Sequence, residues 1–184
     1  MRDDMIRIYD DVLDYVQCQS LIRMFESRPD LHERKLGDNC FTELDITAHH
    51  YLGLFQQWHE GMVNMQIGVI KRYIADCGID TQQIAIDPRF GFENFRVKRY
   101  NEGQGFPLHT DEGGNRRLAC LYYLNSDFVK GYTSFPQHNL IIEPRLGGVV
   151  VFPATWEYIH EGFAVQSGKK YLMSSYLVRN ATRN

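Results

Sequence analysis

The residues of this chain best equipped for chemistry are His109 and Asp111, separated only by Thr110, with His160 and then Lys170 far downstream. Two imidazoles and a carboxylate form the ligand set of a facial triad. Such a triad grips Fe(II) on one face and leaves the remaining positions open to substrate and O2. The spacing suits this use. In a strand, residues two apart point to the same side, so His109 and Asp111 can share one ion while Thr110 points away. The third ligand must then arrive on another strand, which accounts for its distance in sequence. A basic residue beyond it, Lys170, could anchor the far carboxylate of a dicarboxylate co-substrate chelating the same iron. Alone, His-x-Asp is a weak signal. A strand histidine commonly serves packing or hydrogen bonding, and Asp111-Glu112-Gly113-Gly114 also reads as a turn.

The chain has 184 residues, enough for one domain with a sizeable core. Hydrophobic residues at 43% and charged residues at 23% are ordinary for a globular protein. Aromatics at 13% are generous, and they concentrate around the candidate site. A net charge of -3 gives no bulk reason to expect nucleic-acid binding or adsorption to a membrane. The start, Met1-Arg2-Asp3-Asp4-Met5, is charged where a signal peptide would be apolar, and no stretch reaches transmembrane length. Cys18, Cys40, Cys77 and Cys120 are scattered without a Cys-x-x-Cys pair. They read as reduced thiols of a cytoplasmic protein, which exists as a monomer or homodimer, and not as a zinc-thiolate site.

The first half carries helical patterning. Asp10-Asp11 are positioned to cap a helix whose apolar residues Val12, Leu13, Val16, Leu21, Ile22 and Phe25 recur at roughly helical spacing, with Pro29 ending it. A polar stretch with Gly37-Asp38-Asn39 follows. A longer helical pattern spans about His49 to Ala75, with Leu52, Phe55, Met62, Met65, Val69 and Tyr73 as the buried stripe and Gly53, Gly61 and Gly68 interrupting it. After Asp87-Pro88 the texture changes to strands. Phe90 to Tyr100 alternates apolar and polar. Leu118 to Leu124 is a continuous apolar run closed by Asn125-Ser126-Asp127. Further strands are expected at Asn139 to Ile142, Gly148 to Phe152 and Tyr171 to Val178. Helices first and many short strands after predict a mostly β protein: a double-stranded β-helix, or jelly roll, over about 90–180, buttressed by helices over about 1–85.

Five segments then carry a family resemblance. Tyr100-Asn-Glu-Gly-Gln-Gly-Phe-Pro-Leu-His109-Thr-Asp111 resembles the strand and loop entering the iron site of prolyl 4-hydroxylase-type 2-oxoglutarate/Fe(II) dioxygenases. Arg117-Leu-Ala-Cys-Leu-Tyr-Tyr-Leu-Asn125 resembles the family strand that ends in Tyr-Leu-Asn. Gly131-Tyr-Thr-Ser-Phe135-Pro136 is similar to a Gly-Gly-x-Thr-x-Phe element whose first glycine is Lys130 here. Pro144-Arg-Leu-Gly147 opens a Pro-x-x-Gly strand. The run from His160 through Gly168-Lys169-Lys170 to Leu177 tracks the segment from distal histidine to co-substrate lysine, with Ala164 where proline is common. The order is right and most of the second half is covered.

The resemblance implies His109, Asp111 and His160 as iron ligands and Lys170 as partner of the C5 carboxylate of 2-oxoglutarate. Lys169 is the competitor, since strand neighbours face opposite ways, and the family segment selects Lys170. It also implies Tyr123 as a hydrogen-bond donor to that carboxylate, with Tyr100 and Thr133 lining the same pocket. Core packing is the plain reading of either tyrosine, and β-propensity that of Thr133. Trp156 and Arg117 are candidates for touching the primary substrate, with structural roles as the alternative. His32, His49, His50, His59 and His138 fall outside these segments. The implied reaction consumes O2 and 2-oxoglutarate, releases succinate and CO2, and hydroxylates an unactivated C–H bond, with ascorbate as a supporting reductant. A carboxylate at 111 favours hydroxylation over halogenation, for which related enzymes carry Gly or Ala there.

The primary substrate is left open by motifs that bind only metal and co-substrate. A prolyl residue of a peptide or protein follows from the resemblance; a small metabolite or a free amino acid is the alternative. Loops at Lys35–Thr47, Ile79–Phe92 and Glu112–Arg116 would select it. Two readings of other classes stand beside the enzyme: a non-catalytic jelly-roll binding module, and a zinc hydrolase using Glu161 as general base. The first leaves the complete triad and Lys170 unused, and the second leaves Lys170 without a role.

Overall fold

Both helices form where apolar spacing places them, but their ends are set by other groups. In this computed structural model, which describes residues 5–35, 37, 40–79 and 90–179, helix α1 spans Tyr15–Ser27. Asp14 caps it. Its carboxylate accepts from the Gln17 backbone N–H at 2.7 Å, and the Gln17 side chain accepts from the Asp14 N–H at 2.9 Å. The cap is therefore not Asp10-Asp11. The N–H groups of Val12 and Leu13 both donate to the Gly147 carbonyl, which ties that stretch to the β half and delays the helix. Val16 is exposed, whereas Leu21 and Phe25 are fully buried. Helix α2 spans Gly53–Asp76, and His49–Tyr51 form a turn before it. It runs unbroken through Gly61 and Gly68, neither of which has a neighbour within 4 Å of a would-be Cβ.

The strands run β1 (Arg7–Tyr9), β2 (Glu33–Lys35), β3 (Phe41–Asp45), β4 (Phe90–Phe92), β5 (Arg96–Tyr100), β6 (Phe106–His109), β7 (Arg116–Tyr123), β8 (Val129–Lys130), β9 (Thr133–Phe135), β10 (Leu140–Ile142), β11 (Val149–Pro153), β12 (His160–Gly162), β13 (Val165–Ser167) and β14 (Lys170–Arg179). The major sheet has the order β1-β11-β7-β14-β5-β3-β2, with β4 on the far end of β14. The minor sheet is β10-β9-β12-β6, and β8 pairs with β13. Among the described residues, the pairings within the two main sheets are antiparallel. The stretch expected to be a helical preface thus also supplies three strands. Each is three to five residues long, too short for alternation to show. The single strand expected over 90–100 is two, pairing with different parts of β14.

Alternation along β14 decides what faces the site. Tyr171 and Met173 join the core packed under the helices, together with Leu21, Phe25, Phe55, Tyr73, Val97 and Tyr122. Leu172 and Tyr176 turn into the second core between the sheets, with Tyr100, Tyr123, Phe135 and Phe152. The helices are also fixed by polar contacts. Buried Gln66 of α2 accepts from the Tyr122 hydroxyl at 3.3 Å and donates to Ser175 Oγ at 3.4 Å. Satisfying those groups ties one helix to the two central strands.

Candidate metal centre

β6 and β12 lie side by side with His109 directly opposite His160, so two residues far apart in sequence meet by strand pairing. Their ring centroids are 4.2 Å apart. β6 ends at His109, and Asp111 sits just past it, where Thr110 Oγ1 accepts from the Glu112 N–H at 3.0 Å and turns the chain. One Asp111 oxygen lies 3.7 Å from His109 Nε2 and the other 3.6 Å from His160 Nε2. The three ligand atoms fall within 4.8 Å of one another. Among the described residues, no other group of His, Cys, Asp and Glu side chains offers three ligands to an ion.

Each ring is oriented by its other nitrogen. His109 Nδ1 is 2.8 Å from the Pro107 carbonyl, and His160 Nδ1 is 3.1 Å from that of Tyr158. A carbonyl only accepts, so Nδ1 carries the proton in both and Nε2 presents a lone pair to the shared space. Phe106 packs on His109 at 4.2 Å, and Phe135 and Phe152 hold His160 at 5.3 and 4.8 Å. Burial pushes the His160 pKa down to about 4, against the opposing pull of the Asp111 charge. His160 is therefore neutral, as a ligand must be, across the physiological range.

Asp111 is 6% exposed. Oδ1 accepts from the Tyr176 hydroxyl at 2.9 Å, while Oδ2 is buried with no hydrogen-bond partner. Burial alone pushes this carboxyl up, but the adjoining His109 and His160 imidazoles and the Tyr176 hydroxyl outweigh it and hold the pKa below the usual carboxylate range. A buried carboxylate with one oxygen unpartnered, flanked by two imidazole lone pairs, fits a divalent cation. The donor set of two nitrogens and one oxygen suits Fe(II).

A second part of the same pocket is built around Lys170. It lies at the start of β14, opposite Tyr100, and is 4% exposed. Lys169 beside it is exposed. Asn125, at the end of the Tyr-Leu-Asn segment, sets this register. Its amide donates to the Lys169 carbonyl at 2.7 Å and accepts from the Tyr171 N–H at 2.7 Å, which clamps the backbone on both sides of Lys170. The Lys170 ammonium donates to the Gly131 carbonyl at 2.6 Å and stands 5.7 and 5.6 Å over the Tyr100 and Tyr123 rings. Among the described residues it has no carboxylate partner, and burial pushes its pKa down to about 7. The Tyr123 hydroxyl donates to Thr133 Oγ1 at 2.7 Å, and both side chains are buried. A Cβ at Gly131 would press on Phe128 and on the Lys170 stem. Lys130, where the family pattern has glycine, takes the left-handed backbone at φ +62, a cost of about 1–2 kcal/mol for a non-glycine residue.

His109, Asp111, His160, Lys170, Tyr100 and Thr133 thus line one pocket, with Tyr123 behind Thr133. Arg117 and Trp156 do not line it. Arg117 is exposed on β7, and Trp156 is 61% exposed in a short 3-10 turn. The arginine that reaches the centre is its neighbour Arg116, 4.0 Å from Asp111 Oδ1 and 3.7 Å over the Tyr176 ring. Tyr176 and Lys98 also line the pocket, and neither was singled out from the sequence. Alternation on β14 and β5 was the signal available for both. Of the loops expected to select substrate, most of Ile79–Phe92 lies outside the described residues.

Residues 95–178, which carry the triad and Lys170, match the family model described as the 2OG-Fe(II) oxygenase superfamily. Over that stretch the chain is similar to 2OG-Fe(II) oxygenases of the prolyl hydroxylase type. A protein of Acanthamoeba polyphaga mimivirus named "Putative prolyl 4-hydroxylase" is 30% identical over 102 residues, 44% of this chain and 42% of that one. Procollagen-lysine,2-oxoglutarate 5-dioxygenase 2 of Mus musculus is 28% identical over 119 residues, 64% of this chain and 16% of that one. The matches thus span less than half the length of either relative. In solved structures, the viral collagen prolyl hydroxylase of Paramecium Bursaria Chlorella virus-1, in its 2OG complex, superposes with a TM-score of 0.69 at 18% identity, over 98% of both chains. That likeness establishes the jelly-roll fold.

Proposed function

We propose that this protein is an Fe(II)- and 2-oxoglutarate-dependent dioxygenase that hydroxylates an unactivated C–H bond, with a prolyl residue of a peptide or protein as its substrate. The observation that carries the reading is Lys170: a buried ammonium without a carboxylate partner, in the same pocket as a carboxylate that has one oxygen unpartnered and an imidazole lone pair beside each oxygen. Either feature alone costs stability. Together they are complementary to a cation and a dianion bound side by side.

When bound, iron with 2-oxoglutarate and O2 would supply the oxidising power, with succinate and CO2 as co-products. The chain's own residues bind and orient. His109, Asp111 and His160 hold the metal through Nε2, a carboxylate and Nε2. Lys170 holds the C5 carboxylate, assisted by the Tyr123 and Thr133 hydroxyls. Tyr100, Phe106, Leu121 and Leu172 line the space and keep water from it. A peptide substrate is supported by the similarity to a procollagen-lysine dioxygenase and to a viral collagen prolyl hydroxylase. All four cysteines are free thiols, which suits a cytoplasmic enzyme.

The test is turnover. Protein loaded with Fe(II) and supplied with 2-oxoglutarate and O2 is expected to form succinate and to add one oxygen to a prolyl peptide, read as a mass gain of about 16 Da. Oxygen added only to free amino acids or metabolites would replace the peptide reading. Failure to bind 2-oxoglutarate at all would leave the binding-module reading.

A further inference from the structure

The pocket holds a second lysine for which the triad and the Lys170 anchor have no use. Lys98 lies on β5 two residues from Tyr100, so both side chains face the space between the sheets, roughly 7 Å apart along the strand. Its backbone stands opposite Leu172 on β14 and Glu43 on β3. The ammonium lies 5.2 Å over the Phe41 ring and 5.8 Å over Phe106, the ring that packs on His109. Among the described residues it makes no ion pair. Glu43, the acid directly across from it, is engaged by Lys35 at 3.8 Å and Arg96 at 3.9 Å.

The cation–π contacts offset part of the cost of keeping this charge in an aromatic cleft. They do not explain why the charge is there, since a neutral chain of the same length would cover Phe41 and Phe106 at no desolvation cost. Burial depresses the pKa of the ammonium, and the Glu43 and Asp111 charges only partly counter this. An arriving anion would complete it. The metal-binding corner of the pocket is adjacent, because the Lys98 charge is felt by both Asp111 and His160.

We propose that Lys98 is a second carboxylate anchor of this site, separate from Lys170 and set beside the metal ligands. The inference rests on the dioxygenase reading for one of its two sources of carboxylate. These are the C1 carboxylate of the 2-oxo acid and an acidic side chain of the primary substrate. Both present the same chemistry to the ammonium, and affinity measurements separate them.

The experiment uses full-length Mn(II)-loaded protein under anaerobic conditions, titrated calorimetrically as wild type, Lys98→Met, Lys98→Arg and Lys170→Met. The probes are 2-oxoglutarate and two proline peptides that differ in Glu or Gln beside the proline. Loss of 2-oxoglutarate affinity by roughly tenfold or more in Lys98→Met, restored by Lys98→Arg, assigns the anchor to the co-substrate. Unchanged 2-oxoglutarate affinity, with loss of a wild-type preference for the Glu peptide, assigns it to the primary substrate. That second result supports the anchor even if wild type binds no 2-oxoglutarate, in which case the dioxygenase reading fails alone. If Lys170→Met loses 2-oxoglutarate while Lys98→Met matches wild type on every probe, the anchor is wrong and the dioxygenase reading stands. A wild type that binds none of the probes overturns both.

Discussion

The Tyr176 hydroxyl donates a 2.9 Å hydrogen bond to Asp111 Oδ1, the oxygen beside His109, while Oδ2, 3.6 Å from His160 Nε2, is left without a hydrogen-bond partner. The tyrosine thus orients the carboxylate beside the two imidazoles. It is itself held by Arg116, whose guanidinium lies 3.7 Å over its ring and forms a two-pronged pair with Glu93 at 2.8 and 2.7 Å. Tyr176→Phe keeps the ring and removes the orienting bond. Partners of metal ligands typically contribute about 10–100-fold in affinity, so Mn(II) or Co(II) binding should weaken by on the order of tenfold with little change in fold. Unaltered metal affinity in this variant would show that the strand ends position Asp111 without help.

Asp111 itself should prove dispensable for folding. Its removal frees one buried hydroxyl but also removes a buried anionic oxygen that has no partner, so the metal-free Asp111→Ala protein should lie within about 1–2 kcal/mol of wild type. The difference appears with metal. A ligand at a hundredfold its Kd stabilises the native state by about 2.7 kcal/mol, and wild type should show the matching rise in Tm while Asp111→Ala shows none. A metal-induced rise in the variant would take Asp111 out of the ligand set. Hydroxylation should be lost in the same variant.

Much of this centre was legible from the chain. His109, Asp111, His160 and Lys170 have unusual chemistry at family spacing, and the structure draws them into one pocket. What the residues alone left ambiguous was resolved by pairing. Lys169 and Lys170 differ by one step of a strand, and their inward or outward sense depends on Asn125, forty-five residues away in sequence, whose side-chain bonds to the Lys169 carbonyl and the Tyr171 N–H no local pattern signals. Lys98 and Tyr176 escaped notice because a charge or a phenol on an alternating strand looks the same whether its face meets solvent or a second sheet. β1, β2 and β3 were missed for a different reason: they exist because the edges of the sheet accept them, and three to five residues carry no period. Arg116 and Arg117 carry no signal in the sequence that tells which of them turns toward the centre. Where the resemblance implied a particular residue, as at Lys170, alternation along β14 turned the same residue inward.

The two lysines offer a direct test of that register. Lys170→Ala would leave the C5 carboxylate of 2-oxoglutarate buried and unpaired, at a cost on the order of 3–5 kcal/mol, so affinity should fall by roughly a hundredfold or more. Lys169 is exposed, and Lys169→Ala should change affinity less than about twofold to threefold. Anaerobic calorimetry on both variants reads the contrast directly. The reverse pattern would mean that β14 is out of register by one residue.

Asn125 should matter through Lys170 and not by touching the ligand. Asn125→Ala removes the hydrogen bonds to the Lys169 carbonyl and the Tyr171 N–H, groups otherwise left without these partners, so a stability loss of about 1–3 kcal/mol is expected. If the clamp also aims the ammonium, 2-oxoglutarate affinity should drop at a temperature where the variant is still fully folded. Metal affinity should stay at the wild-type level, because the triad lies on β6, the loop after it and β12. Parallel loss of both affinities would point to general loosening of the jelly roll.

Lys170 also predicts how binding responds to pH. Burial sets its pKa at about 7 in the ligand-free protein, against about 10.4 for an unfolded lysine. The native state therefore binds fewer protons than the unfolded chain between those values, and this residue's contribution to stability rises with pH across that window. Binding a dianion runs the other way, since it requires the ammonium. At pH 6 the lysine is already charged, and 2-oxoglutarate should bind without proton uptake from this group. At pH 8 to 8.5 the protein should take up close to one proton on binding, and affinity should fall by up to about tenfold for each unit above 7. Calorimetry of the Mn(II)-loaded protein in buffers of different ionisation enthalpy measures the proton directly. Lys170→Arg, whose guanidinium stays charged throughout, should bind with the slope removed. A wild-type affinity that is flat from pH 6 to 8.5 would mean the ammonium is not what the C5 carboxylate meets.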